Sequence, residues 1–307
     1  MEMLESPDRP ARRFSPVASL LILFGLMVVL SAVSQIALIY PLVKWLTGAD
    51  LSAAGTSLFT NPTAYPHSWA AMMLMQGINS LFSFTLTALI YWYLIEKRNI
   101  VFIEKGSPDP LIWVAVLVLV ISYIPFNSLI FEWNQKLPLP EWMVNSEKQL
   151  ETLTKFLTQF PDFLHFIVGL FVIAVLPALG EELLFRATLQ KLFQRWWGSP
   201  HLAVWLAAAI FSAYHMQFMG FFPRMILGAM FGYLYLWSRN LWIPVFAHFV
   251  NNGFVVLMIY LRGQKLVDID VENNESIPLT SALVSGVIAL SLMRIIYTRL
   301  KPQIPEA

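Results

Sequence analysis

The sequence predicts an all-α fold: a polytopic membrane helix bundle of about eight transmembrane helices, the fourth of them kinked. Three observations predict it. Of 307 residues, 57% are hydrophobic and only 13% charged, with a mean hydropathy of +0.63, whereas a soluble domain carries about 25% charged residues. Apolar stretches close to the ~20 residues that cross a bilayer recur along the whole chain. The cations between those stretches fall unevenly on the two sides.

Taken in order, residues 1–16 form a cytoplasmic tail with Arg9, Arg12 and Arg13. The apolar segment 17–46 follows. Ala32-Val33-Ser34 resembles a signal cleavage site, but the apolar run continues to Leu46, beyond the about 7–15 residues of a signal core. It is therefore expected to be an uncleaved first span. Segments 69–95 and 110–131 complete three amino-terminal helices, within residues 17–131. An amphipathic helix is expected over 146–160 within the outer-face stretch 132–161. Ser146 and Gln149 have capping-box spacing, and Leu150, Leu153, Leu157 and Phe160 recur at helical intervals.

The core, residues 162–262, holds segments 163–195, 202–219, 224–238 and 241–261. The first is long, and Pro177 removes a backbone donor inside it, which predicts the kink. Gly228-x-x-x-Gly232 in the third allows close helix packing. Residues 263–307 comprise an acidic loop, a last span over 279–300 and a cytoplasmic tail. Of the 20 Lys and Arg, this topology places 12 on the inner side, 7 on the outer side (Arg224 among them), and Arg186 within the membrane. Both termini are thus expected in the cytoplasm.

Function classes narrow quickly. A net charge of +1 gives no electrostatic support for a nucleic-acid partner. The absence of cysteine removes disulfides, thiolate nucleophiles and thiolate metal sites. The evident partners are the lipid bilayer and whatever substrate reaches a site within it.

That site is expected where ionisable groups interrupt apolar segments. Glu181, Glu182 and Arg186 lie within six residues, and each costs on the order of 2.5–3.5 kcal/mol to insert. Residues four apart share a helix face, so Arg186 pairs with Glu182. Glu181, about 100° round the helix, is left without a partner. Such a buried carboxylate suits proton transfer. Phe211 and His215 share a face in the next segment, the aromatic holding the imidazole. In the last core segment His248 and Asn252 can both donate to one oxygen, which is what an oxyanion hole requires. His67, His165 and His201 lie at segment ends and are assigned no chemistry.

In series, Glu-Glu-x-x-x-Arg, Phe-x-x-x-His and His-x-x-x-Asn resemble the motif set of the CAAX-protease and bacteriocin-processing (Abi) intramembrane peptidases, which include the Rce1-type prenyl-protein endopeptidases. The resemblance spans Glu181 to Asn252. It implies an eight-helix core in which Glu181, assisted by His215, activates water while His248 and Asn252 stabilise the oxyanion. Glu182, Arg186 and Phe211 would support them. The substrate would be a peptide or membrane protein, and the setting a bacterial inner membrane. Two cofactor states stay open: zinc held by Glu181, His215 and His248, or no metal. The second is favoured because it gives Asn252, a poor zinc ligand, a task. The rival is a non-enzymatic membrane protein: a proton- or ion-coupled transporter, or an immunity or scaffold protein.

Overall fold

A computed structural model describes residues 14–97, 99–104, 108–268 and 277–300. The amino-terminal arginines Arg9, Arg12 and Arg13, together with Arg98, Lys105, Lys301 and most of the acidic loop, lie outside the described residues. The chain folds as helices α1 (Pro16–Thr47), α2 (Leu51–Thr60), α3 (Ser68–Ile95), α4 (Pro110–Gln135), α5 (Glu141–Leu157), α6 (Phe163–Trp197), α7 (Pro200–Tyr214), α8 (Phe218–Ser238), α9 (Trp242–Gly263) and α10 (Leu279–Leu300). Seven of these are long and apolar enough to cross a membrane by length and composition; α7, at 15 residues, is apolar but shorter. The protein is a multi-pass integral membrane helix bundle.

The helix starts follow ordinary chemistry. Ser15 and Ser199 cap α1 and α7 through their hydroxyls, and Asp109 caps α4. Asp162 caps α6, accepting from the His165 backbone N–H (2.9 Å) and from His165 Nδ1 (2.8 Å). Those bonds hold its carboxyl below the usual carboxylate range. Large apolar side chains such as Leu21, Phe24 and Val29 of α1, or Val287 and Leu290 of α10, are exposed. An outward apolar face is what a lipid solvent allows.

Two boundaries differ from the sequence expectation. The amphipathic helix begins at Glu141, with Pro140 as its cap, so Ser146 lies inside it and forms no capping box. Pro140, its φ fixed by the ring at −57° and its ψ extended at 149°, is the last non-helical residue before Glu141. The apolar side of α5 packs through Leu153, Phe156 and Leu157 against Ile39, Val43, Leu58 and Met72. Phe160 lies past the helix and is buried instead beside Phe166 and Val256. The fifth apolar segment, expected to run to 219, stops at Tyr214 because His215 caps it and Met216 turns left-handed at φ 54°.

α6 runs unbroken through Pro177. Its irregularities are wider π-helical stretches at Leu170–Val175, just before the proline, and Leu183–Gln190, just after the acidic pair. Such stretches concentrate at functional sites. Pro177 has no N–H to offer the Ile173 carbonyl four residues earlier, and Asn252 Nδ2 of α9 donates to that carbonyl at 3.2 Å. In the second stretch the Thr188 hydroxyl donates to the Leu183 carbonyl, five residues back, at 2.9 Å.

α6 is gripped from two sides at positions where a side chain would not fit. A Cβ on Gly180 would come within 2.8 Å of Thr85 Oγ1 and 3.1 Å of Phe84 Cβ, so α3 meets α6 backbone to side chain. A Cβ on Gly228 of α8 would meet Phe211 Cδ1 at 3.0 Å and Arg186 Nη2 at 3.4 Å. Phe211 cannot give way, because Phe185, His215 and His248 surround its ring. Gly228→Ala is therefore expected to lower stability by about 1 kcal/mol net. Overpacking costs about 1–3 kcal/mol, and alanine returns up to about 1 kcal/mol of helix propensity. Thermal unfolding in detergent measures it; an unchanged or raised midpoint would refute the tight packing.

Candidate active site

The polar residues of α6 and α9 meet inside the bundle. Glu182 is fully buried and Arg186 nearly so; Arg186 Nε lies 3.1 Å from Glu182 Oε2. The other carboxylate oxygen, Oε1, accepts from His248 Nδ1 at 2.8 Å. Arg186 Nη2 donates to the Gly228 carbonyl at 2.8 Å. One turn on, Gln190 Nε2 repeats the contact to the Gly232 carbonyl at 3.2 Å. The two glycines expected only to permit close packing thus also present their carbonyls to α6.

Aromatic rings complete the shell. The Arg186 guanidinium sits 4.8 Å from the Phe211 ring centroid and 5.7 Å from that of Phe231. These faces stand in for hydrogen bonds at Nη1, which has none among the described residues. Phe231 stacks on His248 at 5.2 Å and 24°, and Phe211 meets the same imidazole edge-on at 6.0 Å. The imidazole is thereby held in one plane. Phe231 carries no motif, and only its i+3 spacing from Gly228 hints at its direction.

Ring protonation follows from these contacts. A carboxylate only accepts, so His248 Nδ1 carries a proton, and its Nε2 points toward Glu181, 3.9 Å from Oε2. Nε2 can donate only when the ring holds both protons. His215 Nδ1 donates to the Phe211 carbonyl at 2.8 Å, leaving Nε2 as its free lone-pair nitrogen. Phe211 lies between the two histidines, its ring 5.1 Å from that of His215. Glu181 is buried, and its Oε2 has no hydrogen-bond partner among the described residues.

Asn252 is engaged differently from the sequence expectation. One amide hydrogen goes to the proline-freed Ile173 carbonyl, and its Oδ1 accepts from Asn251 Nδ2 at 3.0 Å. The second amide hydrogen is left for a ligand. Arg224, counted from sequence as an outer-side charge, is half-buried in the first turns of α8. Outside the site, His165 pairs with Asp162 and packs on Trp69, and His201 Nδ1 lies 3.1 Å from the Tyr233 hydroxyl.

Among the described residues no group of three or more His, Asp or Glu is placed to hold a metal ion. Of the set Glu181, His215 and His248, only His248 and Glu181 lie within ion-pair distance.

Fold and site define a polytopic membrane protein with a buried Glu-Glu-Arg-His cluster between α6 and α9. Residues 163–254 match the family model described as type II CAAX prenyl endopeptidase Rce1-like. The chain is also similar to the uncharacterized protein YpbD of Bacillus subtilis (strain 168), 31% identical over 91 residues, which is 28% of this chain and 43% of that protein. It is similar as well to the membrane-embedded CAAX protease MroQ of Staphylococcus aureus (strain USA300), 30% identical over 105 residues, 32% of this chain and 42% of that protein. The chain thus spans less than half the length of these curated relatives. No solved structure matches. The family match runs from the start of α6 into α9 and contains every motif residue, so the resemblance read from the motifs is shown over those residues.

Proposed function

We propose that the protein is an intramembrane endopeptidase whose Glu181 activates the attacking water. The observation that carries this reading is the buried Glu181 carboxylate, whose Oε2 has no hydrogen-bond partner among the described residues and faces His248 Nε2 at 3.9 Å. Its neighbour Glu182 is held closer, by the Arg186 ion pair at 3.1 Å and His248 Nδ1 at 2.8 Å. Two adjacent carboxylates in such different environments divide into a reactive one and a supporting one. The family match and the name of the staphylococcal relative support the same class of reaction.

Water is held between Glu181 and the lone pair of His215 Nε2. Glu181 takes its proton as the oxygen attacks the scissile carbonyl. The doubly protonated His248, through Nε2–H, and the second amide hydrogen of Asn252 stabilise the oxyanion. Glu181 then returns the proton to the leaving amine, and the C–N bond breaks. No step runs through a metal. An apolar cleft of about 350 Å³ lies between α6, α9 and Trp113 of α4, lined in part by Ala178, Leu179, Val245 and Phe249, residues that neighbour the acidic pair and His248 in sequence. Its lining suits an apolar peptide or membrane-protein segment as substrate.

The test is cleavage of apolar peptides by the purified protein in H₂¹⁸O, read by mass spectrometry, with metal content measured on the same chelator-washed sample. One ¹⁸O in the new carboxylate, with activity retained in metal-free protein, is expected. Zinc lost and restored in step with activity would overturn the metal-free route. Substrate-coupled proton flux in liposomes without any cleavage would overturn the peptidase reading itself.

A further inference from the structure

Arg224 has no place in the chemistry above, yet its position is anything but peripheral. It lies four residues before Gly228 and seven before Phe231 on α8, so the three share one face. Gly228 receives Arg186, and Phe231 stacks on His248; that face is the one turned to the site. The short turn that follows His215 leads directly back to Arg224. Within it, Gln217 accepts from Arg224 Nη1 through its carbonyl (3.3 Å) and from Nη2 through its side-chain oxygen (2.6 Å). A Cβ on Gly220 would stand 3.1 Å from Nη2, so the turn closes against the guanidinium.

What Arg224 lacks is a counter-charge. Among the described residues no carboxylate lies within 4.0 Å of it; Glu147 of α5 and Glu181 act on it only from farther away. Glu147 is turned to the same loop, where its Oε2 accepts from the Met219 backbone N–H at 3.3 Å. Arg186, one turn deeper, shows the alternative: a guanidinium paired with a carboxylate at 3.1 Å. A half-buried cation in an apolar span without an ion pair is costly unless a ligand completes it. Of the five N–H donors of a guanidinium, Gln217 takes two, leaving three on a rigid fork suited to a carboxylate.

We propose that Arg224 is a specificity-determining residue that receives a carboxylate of the substrate, from either a chain terminus or an Asp or Glu side chain. This deepens the peptidase reading by naming what the substrate presents beside the cleaved bond, and it rests on that reading. A binding measurement separates the two, because it needs no turnover.

The probe is a dansylated apolar pentapeptide in three forms: free carboxylate, carboxyl amide, and amide with glutamate in place of its penultimate residue. Each is titrated by fluorescence against Glu181→Gln protein, and the same protein carrying Arg224→Gln or Arg224→Lys, in phosphatidylcholine vesicles. A charge-assisted bidentate contact predicts that one carboxylate form binds about 10- to 100-fold tighter than the plain amide. Whichever form wins identifies the source. The preference should vanish in Arg224→Gln and survive in part in Arg224→Lys. Equal binding of all three peptides to protein that retains Arg224 overturns the proposal without any Arg224 variant. A preference that outlasts Arg224→Gln does the same. If Arg224→Gln instead changes only binding to vesicles containing phosphatidylglycerol, Arg224 serves a lipid headgroup and the proposal fails. If the parent protein, with Glu181 in place, cleaves none of the three peptides while the binding preference holds, the peptidase reading alone fails.

Discussion

Glu181→Gln is expected to reduce peptide cleavage by about 10²–10⁴-fold, the usual worth of a general base, while leaving thermal stability close to that of the parent. The two expectations come from one observation. Glu181 Oε2 has no hydrogen-bond partner among the described residues, and its nearest cationic neighbour is His248 at 3.9 Å. Removing this charge breaks no hydrogen bond at Oε2 and gives up only the long 3.9 Å contact to His248, while replacing a buried carboxylate by a neutral amide relieves desolvation cost. A residue held for packing would behave the other way round, with a large loss of stability and activity falling only in proportion. The comparison is made on purified protein in one detergent, with cleavage rate and unfolding midpoint measured on the same preparation. Full activity of Glu181→Gln would remove this residue from the chemistry. A large fall in midpoint would show that it is structural.

Much of the fold is legible because a bilayer imposes it. Every long apolar segment read from sequence is a helix, with bounds shifted by only a few residues at most ends. The exceptions have local causes. Ser146 and Gln149 have capping-box spacing, but Pro140 starts the helix earlier, and spacing alone does not show which of two starts wins. The π-helical stretches of α6 carry side-chain contacts that sequence patterns do not rank: the Thr188 hydroxyl on the Leu183 carbonyl, and Asn252 on the carbonyl that Pro177 leaves free. In the site, the Glu182–Arg186 pair and the Phe211–His215 contact follow from i,i+4 spacing. The His248–Glu182 bond does not, because it joins residues 66 apart in sequence and depends on how α9 rotates against α6. Phe231 and Arg224 went unseen for the same reason. An aromatic or a charge at a segment edge acquires meaning only when the neighbouring helix is in place.

The largest effect on stability should come from Glu182 and Arg186. Glu182 is fully buried and Arg186 is 1% exposed, and they are joined at 3.1 Å. Removing one partner strands the other's charge, which costs about 3–5 kcal/mol, a large share of a typical total of about 5–15 kcal/mol. Glu182→Leu and Arg186→Met are therefore each expected to unfold far below the parent. Losing both charges is a different case. A buried pair replaced by apolar groups of similar volume is often nearly neutral, so Glu182→Leu with Arg186→Met should regain most of the lost stability. Recovery will be incomplete, because Arg186 also donates to the Gly228 carbonyl and lies against the Phe211 and Phe231 rings. Activity should not recover at all. Without the Glu182 carboxylate, His248 Nδ1 loses the acceptor 2.8 Å away that fixes its ring, and the Nε2 directed at Glu181 is no longer held. The double-mutant cycle thus separates two roles of one residue pair: strongly non-additive in unfolding midpoint, flat in cleavage. Additive destabilisation would mean that the ion pair is not the unit holding α6, and a double variant that regained cleavage would mean that Glu182 does not orient His248.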